Sequence, residues 1–241
     1  MIIYGKNPVG EAVKAGKTID KLYILREESD ARMSALVKTA KERGAVVVNA
    51  DRRQLDKLTD GGNHQGIAAQ VTDFEYCSVE DILAEAESRG EKPLIVLADG
   101  ITDPHNLGAI LRSAECLGAH GVIIPQRRSV SVNDTAVKAS SGAAAYVKVA
   151  KVVNLNDAIR QLKSLGVWVY ACDFGGEPPF HADLADSTAL IVGSEGEGVK
   201  RLTRELADGV ITIPECGRIN SLNASVAAGI MLYEAARQRA K

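Results

Sequence analysis

Residues 189–199 read ALIVGSEGEGV: an unbroken apolar run, then three glycines and two glutamates, then a return to apolar character at Val199. The run shows none of the alternation of a half-exposed strand, and it is too short for a helix burying one stripe. Bounded by turn residues, it fits a strand covered on both faces. Four more runs of this kind, PLIVLA from Pro93, GVIIP from Gly121, VWVYA from Val167 and VITIP from Val210, share its character. Amphipathic or Ala-rich segments at 107–118, 154–165, 198–207 and 222–239 separate them. This alternation predicts an α/β domain over 93–241, with a parallel sheet and helices on both faces.

Working outward, residues 1–72 carry a smaller α/β pattern. Helical periodicity covers 6–16 and 30–43, and strand-like runs are KLYIL from Lys21, AVVVN from Ala45 and GIAAQV from Gly66. Between the two patterns, residues 73–92 (DFEYCSVEDILAEAESRGEK) are polar, weakly helical and closed by Pro93, and they read as a linker. The 241 residues are 46% hydrophobic, enough to bury a sizeable core. A formal net charge of -2 excludes a generally polybasic nucleic-acid binder and leaves room for local basic patches. The four cysteines include no CxxC pair and only four histidines accompany them, so neither a structural zinc nor a disulfide framework is expected. No stretch approaches the ~18 apolar residues of a membrane span, and MIIYGKNPVGEA lacks the pattern of a secretory signal. The cytoplasm is the expected address.

Ligands of open parallel sheets settle beyond the carboxyl ends of the strands, so the loops after the apolar runs are where chemistry is sought. The first, DGITDPHNLGAILRSAECLGAHG (99–121), leads into a helix with Leu107, Ile110, Leu111, Ala114 and Leu117 on one stripe. Asn106 stands where an N-cap belongs, and Arg112 is off the stripe, within reach of Glu115 three residues on. In the second loop, Gly193 and Gly198 have the spacing of a P-loop, but Val199 and Lys200 follow in place of its lysine and hydroxyl. Glu195 and Glu197 would repel a triphosphate and suit a ligand with a positive centre; a tight solvated turn is the simpler account. The third, IPECGRINSLNASVAAGIMLYEAARQRAK (213–241), places Ser221 to cap a helix beginning near Leu222. Asn223 and Ser225 then lie inside that helix, where both have poor propensity and call for a reason beyond capping.

Together the strings PHNLGAILRSA, IVGSEGEGV and IPECGRINSLNASVAAGI resemble the three motifs of the SpoU/TrmH family of RNA ribose 2′-O-methyltransferases, in the SPOUT superfamily. They occur in the family's order, each at a strand-to-loop transition. The resemblance covers the whole chain: IIYGKNPVGEAV and HQGIAAQV look like the L30e-like substrate-binding domain that precedes the catalytic domain in one branch. Within that branch the chain looks most like enzymes that methylate a guanosine of bacterial 23S rRNA. One departure is IPEC where the family usually has IPM, which puts a carboxylate at Glu215 beside the cofactor pocket.

The resemblance implies a C-terminal deep trefoil knot, an exception to the rule against knots, with S-adenosylmethionine bent inside it. Backbone groups near Gly193, Ile213 and Leu222 are expected to hold that cofactor, and Ser221 and Asn223 to shape the pocket and the reacting ribose. No metal is expected. Arg112 is implied as the central residue, contacting the phosphate next to the target ribose and assisting deprotonation of its 2′-hydroxyl. Because a guanidinium stays protonated at neutral pH, Arg112 is read as phosphate clamp and stabiliser of the developing alkoxide. Asn106 is expected to hold Arg112 or the ribose, and Glu195 to orient the arginine by a charge-assisted hydrogen bond.

The implied partners are RNA, with 23S rRNA first, and a second copy of the chain in a homodimer. Small residues at Ala224, Ala227, Ala228 and Gly229 are expected to permit close approach of two copies. Phosphate contacts are sought at Arg52, Arg53 and Lys57, at Arg127 and Arg128, at Lys200, Arg201 and Arg204, and at Arg218. His64 reads equally as a turn residue or an RNA contact, and His105 could touch the target base. Two other functions remain open: a tRNA ribose methyltransferase, and a non-catalytic RNA-binding scaffold in ribosome assembly.

Overall fold

The computed structural model describes residues 1–25, 31–72, 74–217 and 221–240, so Arg218 lies outside the described residues. Two compact units divide the chain, Met1–Glu75 and Tyr76–Lys241.

The first unit is a four-stranded mixed sheet in the order β1-β4-β2-β3, from β1 (Ile2–Tyr4), β2 (Thr18–Leu25), β3 (Val46–Ala50) and β4 (Ile67–Thr72). Strand β4 runs antiparallel to β1 and β2, and β2 runs parallel to β3. Helices α1 (Lys6–Lys14) and α2 (Ala31–Glu42) close a core of Val9, Val13, Leu22, Met33, Ala40 and Ile67. The short α3 (Arg52–Leu58) is secured by a capping box in which Asp51 and Gln54 satisfy each other's backbone N–H groups. On α3, Arg52, Arg53 and Lys57 are exposed around the buried Leu55. His64 is a buried turn residue: its Nδ1 accepts from Gly66 N at 3.0 Å and its Nε2 lies 3.1 Å from Asp56.

The second unit holds a six-stranded sheet, parallel throughout, in the order β10-β8-β9-β5-β6-β7. Its strands are β5 (Leu94–Asp99), β6 (Gly121–Pro125), β7 (Lys148–Val152), β8 (Trp168–Glu177), β9 (Thr188–Gly193) and β10 (Gly209–Ile211). Five of these coincide with the apolar runs. The sixth, β7, reads KVAKV; as an edge strand it tolerates two lysines that break the apolar signature. Residues 73–92, read as a linker, contain α4 (Val79–Ser88), whose Val79 and Ile82 pack into the core of this unit. Only one stripe of α4 is apolar, so its sequence looks like a solvated connection until the sheet is there to cover it.

Side-chain alternation along the strands feeds two cores. Ile95, Leu97, Ile123, Val169 and Ile191 meet α4 and α7 (Leu155–Ser164) on one face. The alternate positions Val96, Val122, Ile124 and Leu190 are as fully buried. Helix α5 (Pro104–Cys116) packs against α6 (Asp134–Ala139) and against α9 (Ala224–Arg239). A Cβ on Gly108 would lie 2.5 Å from Ala139 Cβ, so α5 and α6 cross at a distance only glycine allows. The end of α9 is anchored by Arg239, whose guanidinium donates to the carbonyls of Lys92, Pro93, Leu184 and Asp186. Strand β5 therefore has neighbours leading in opposite directions, β6 on one side and β9 on the other, which makes its carboxyl end the switch point of the sheet.

At the opposite end of β5, buried His120 accepts from Leu94 N at Nδ1 (3.0 Å) and meets Glu91 through Nε2 (3.0 Å). Burial pushes its pKa below the ordinary value of 6.5, with Glu91 opposing. The folded state thus binds fewer protons than the unfolded chain in this range, so the stability His120 contributes is present above about pH 6.5 and is lost as pH falls below it. The melting temperature should drop on going from about pH 7.5 to 5.5, and His120→Gln should shrink that drop; an unchanged pH slope in the variant would exclude His120 as its source.

Candidate active site

A cavity of about 310 Å³ opens at the carboxyl ends of β8, β9 and β10. Its lining comes from Cys172 to Phe174, from Val192 to Gly198, from Thr212, Ile213 and Glu215, and from the start of α9. Gly193 is required by packing: a Cβ there would lie 2.1 Å from the carbonyl carbon of Gly198. The loop 194–198 folds back through paired hydrogen bonds, Ser194 N to Gly198 O at 3.1 Å and Gly198 N to Ser194 O at 3.0 Å. Its far end is clamped by Asp99, a carboxylate 2% exposed at the end of β5, which accepts from Lys200 N (3.1 Å) and from Lys200 Nζ. Lys200, expected as a phosphate contact, is committed to this pair.

The clamp presents Glu195 to residues from two other loops. Asn106 Nδ2 donates to Glu195 Oε1 at 2.7 Å, Asn223 Nδ2 donates to Asn106 Oδ1 at 2.9 Å, and Asn223 Nδ2 also reaches Glu195 Oε1. Among the described residues, Glu195 Oε2 accepts no hydrogen bond. Gly193, Ile213, Ser221 and Leu222 line the adjoining cavity. Arg112 stands apart, exposed on α5, with Nη1 donating to Ser141 Oγ at 3.3 Å. Glu195 therefore orients the two asparagines and not Arg112, and Arg112 does not pair with Glu115.

Both helix starts differ from expectation. Helix α5 is capped by Asp103, which accepts from His105 N at 2.9 Å, with Pro104 as first helical residue. Asn106 sits two positions further in, and its side chain is released to reach Glu195. Helix α9 is capped by Asn223, not Ser221: Asn223 Oδ1 accepts from Ser225 N (2.9 Å), Ser225 Oγ (2.6 Å) and Val226 N (3.3 Å). One amide thus caps with its oxygen and joins the site with its nitrogen. Asn223 therefore lies just outside the helix, and Ser225 is in its first turn, where its hydroxyl donates to the cap.

Sequence reasoning also missed Asp99, Asp173 and Thr212. Arg204, expected on phosphate, instead binds Asp173 Oδ2 and the Phe174 carbonyl, each at 2.9 Å. Arg201 is paired with Glu205 one turn on, and Arg127 and Arg128 are exposed. Burial, reinforced by Asp173, raises the Cys172 thiol far above its ordinary range, so it stays protonated beside the cavity. Ile213, Leu222, Ala227 and Met231 give the cavity an apolar wall, while Glu195, Glu197 and Glu215 place carboxylates at it. Such a lining fits S-adenosylmethionine, which joins an apolar planar base to a sulfonium, and a volume in this range is usual for small-molecule pockets.

The profile of the SpoU rRNA Methylase family matches residues 93–233. The chain belongs to this family. A second profile, RNA 2′-O ribose methyltransferase substrate binding, matches residues 2–77. A Bacillus subtilis protein named for the TrmH family of tRNA/rRNA methyltransferases is 39% identical over 98% of this chain and 95% of its own length. A Synechocystis protein named as an uncharacterized tRNA/rRNA methyltransferase is 42% identical over 99% of this chain, which spans 62% of that relative's length. Among solved structures, the SpoU methyltransferase AviRb from Streptomyces viridochromogenes, in complex with AdoMet, superposes with a TM-score of 0.63 at 27% identity, covering 99% of this chain and 90% of its own. An AdoMet-bound rRNA methyltransferase from Sinorhizobium meliloti gives 0.62 at 27% identity, covering 98% and 86%. The α/β architecture of this SpoU chain is that of its structural neighbours. No helix among its described residues is long and apolar enough to cross a membrane.

The double duty of Asn223 separates by substitution. Asn223→Ala should lower stability by about 1 kcal/mol through loss of the cap, and Asn223→Ser by only a few tenths. Equal losses in urea unfolding would mean that the side chain does not cap α9.

Proposed function

We propose that this chain transfers a methyl group from S-adenosylmethionine to the ribose 2′-hydroxyl of a guanosine in 23S rRNA. The observation that carries the reading is the Asn106–Glu195–Asn223 network, assembled from three loops at the edge of the cavity. The substrate-binding profile over residues 2–77 and the names of the relatives support an RNA substrate. The AdoMet-bound neighbours support the cofactor.

Bound S-adenosylmethionine supplies an electrophilic methyl on a cationic sulfur. The apolar wall takes its base, backbone near Gly193, Ile213 and Leu222 holds its polar edges, and Glu195, Glu197 and Glu215 favour its positive charge. The electrophile needs no further activation, so the protein must align the ribose and remove one proton from a weakly acidic alcohol. Glu195 Oε2, held by the amides on its sister oxygen, accepts the 2′-hydroxyl hydrogen bond and takes its proton as the methyl passes from sulfur to that oxygen. Asn106 and Ser221 position the sugar. Arg112 leaves Ser141 for the phosphate beside the target and stabilises the developing alkoxide. In this reading the C-terminal chain threads a loop to make the family's trefoil knot.

The active form is a homodimer built on α9. Ala224 and Ala228 are buried within the chain and Gly229 faces Ser113, so these small residues serve the packing of α9 on α5. The outward stripe is Val226, Ile230 and Tyr233, all exposed at helical spacing. Light scattering should give a dimer, and Tyr233→Asp should shift it toward monomer; a monomeric parent chain would remove this part of the reading.

Labelled methyl from S-adenosylmethionine, offered to transcripts of 23S rRNA domain V and to a tRNA pool, should enter one guanosine of the rRNA as a 2′-O-methyl. Label in tRNA alone would overturn the rRNA target, and cofactor binding without any transfer would favour a non-catalytic scaffold. Arg112→Ala should abolish turnover while calorimetry finds cofactor affinity unchanged; retained methylation would take Arg112 out of the mechanism.

A further inference from the structure

Strand β8 contains a bulge that the methyl-transfer reading leaves unused. Its pairing with β9 ends at Cys172 opposite Val192. Along β10, Ala171 lies opposite Val210 but the next partner, Ile211, lies opposite Glu177, so residues 172–176 have no counterpart on β10. Bulges of this kind re-aim a side chain, and here the side chain is Phe174, 52% exposed at the rim of the cavity.

The bulge is braced on every side. Thr212 Oγ1 accepts from Gly176 N at 2.7 Å and donates to the Asp173 carbonyl at 2.6 Å, closing its base. Arg204 grips Asp173 Oδ2 and the Phe174 carbonyl, and Phe174 N donates to Asp173 Oδ1 at 2.9 Å. Gly175 turns the chain at φ +73°, and a Cβ on Gly176 would lie 2.1 Å from the Val210 carbonyl oxygen. Five polar contacts and two glycines fix the backbone that leaves one aromatic ring in water, where an apolar side chain loses free energy unless something covers it.

We propose that Phe174 stacks on an unpaired base of the RNA, beside the ribose presented to Glu195. This rests on the RNA-methylation reading. Phe174 lines the cavity and is still 52% exposed, and Ile213, Leu222, Ala227 and Met231 supply apolar lining besides it, which favours RNA over the cofactor as the occupant of its open face. Exposed, rigid aromatic rings are the usual platform for splayed-out bases, because every base offers a flat face. The braced bulge fixes the Phe174 backbone at the rim before the RNA arrives, so little backbone ordering is needed on binding.

Phe174→Ala, Phe174→Leu and Phe174→Trp would be compared in methyl transfer to the rRNA and tRNA transcripts, in cofactor calorimetry, and in quenching of a single-stranded RNA oligonucleotide carrying 2-aminopurine. Stacking predicts a KM for RNA raised about tenfold in the Ala variant, nearly as much in Leu, and close to the parent value in Trp, with the quenching following the same order. Cofactor affinity and melting temperature should not change. Equal KM and quenching across the series would overturn the proposal, and so would a parallel loss of cofactor affinity. A parent chain that transfers no methyl yet shows Phe174-dependent quenching would sink the methylation reading and leave the stacking site standing.

Discussion

Asp99 stands at the carboxyl end of the central strand with almost no solvent contact, and a buried carboxylate is tolerated only when it is paired and hydrogen-bonded. Lys200 meets both needs, through its backbone N–H and its ammonium. The pair ties the end of β5 to the far side of the loop that leaves β9. That loop carries Glu195, and the missing side chain of Gly193 lets it fold back tightly enough for Glu195 to meet Asn106 and Asn223. The site therefore inherits its rigidity from the middle of the sheet.

The same economy of side chains recurs around the cavity. The Asn223 amide caps α9 with its oxygen and holds Glu195 and Asn106 with its nitrogen, so the position of the C-terminal helix and the geometry of the site are one constraint. Asp103 and Pro104 start α5 and free the Asn106 side chain to meet Glu195 and Asn223. Thr212 and Arg204 hold the β8 bulge, so the Phe174 backbone is set by the residue that follows β10 and by α8 (Arg201–Leu206) together. Basic residues that could look like phosphate ligands thus divide into two groups. Lys200 and Arg204 are internal braces, while Arg127 and Arg128 face solvent, as do Arg52, Arg53 and Lys57.

Much of the fold and some of the site were legible in the amino acids. Strands buried on both faces must be apolar throughout, as β5, β6 and β9 are; β8 and the edge strand β10 carry apolar runs although neither is buried throughout, and the edge strand β7 was missed because it admits two lysines. Three polar loops at strand ends pointed to the end of the sheet where ligands bind. The strings PHNLGAILRSA, IVGSEGEGV and IPECGRINSLNASVAAGI carried the family, since each combines a glycine or cap requirement with residues that packing alone does not demand.

Partnership was not legible. Asp103 and Asn106, or Ser221 and Asn223, are equally good caps by residue type, and which one caps depends on where the chain enters the helix. Whether Lys200 meets solvent or a carboxylate 101 positions earlier depends on the sheet order that brings β5 beside β9. Local sequence determined strands, helices, glycine turns and the family of this protein, because backbone preference and burial pattern act over a few residues. Tertiary structure alone decided which polar groups meet at the cavity and which ring is left in water, because those contacts join strands and loops far apart along the chain.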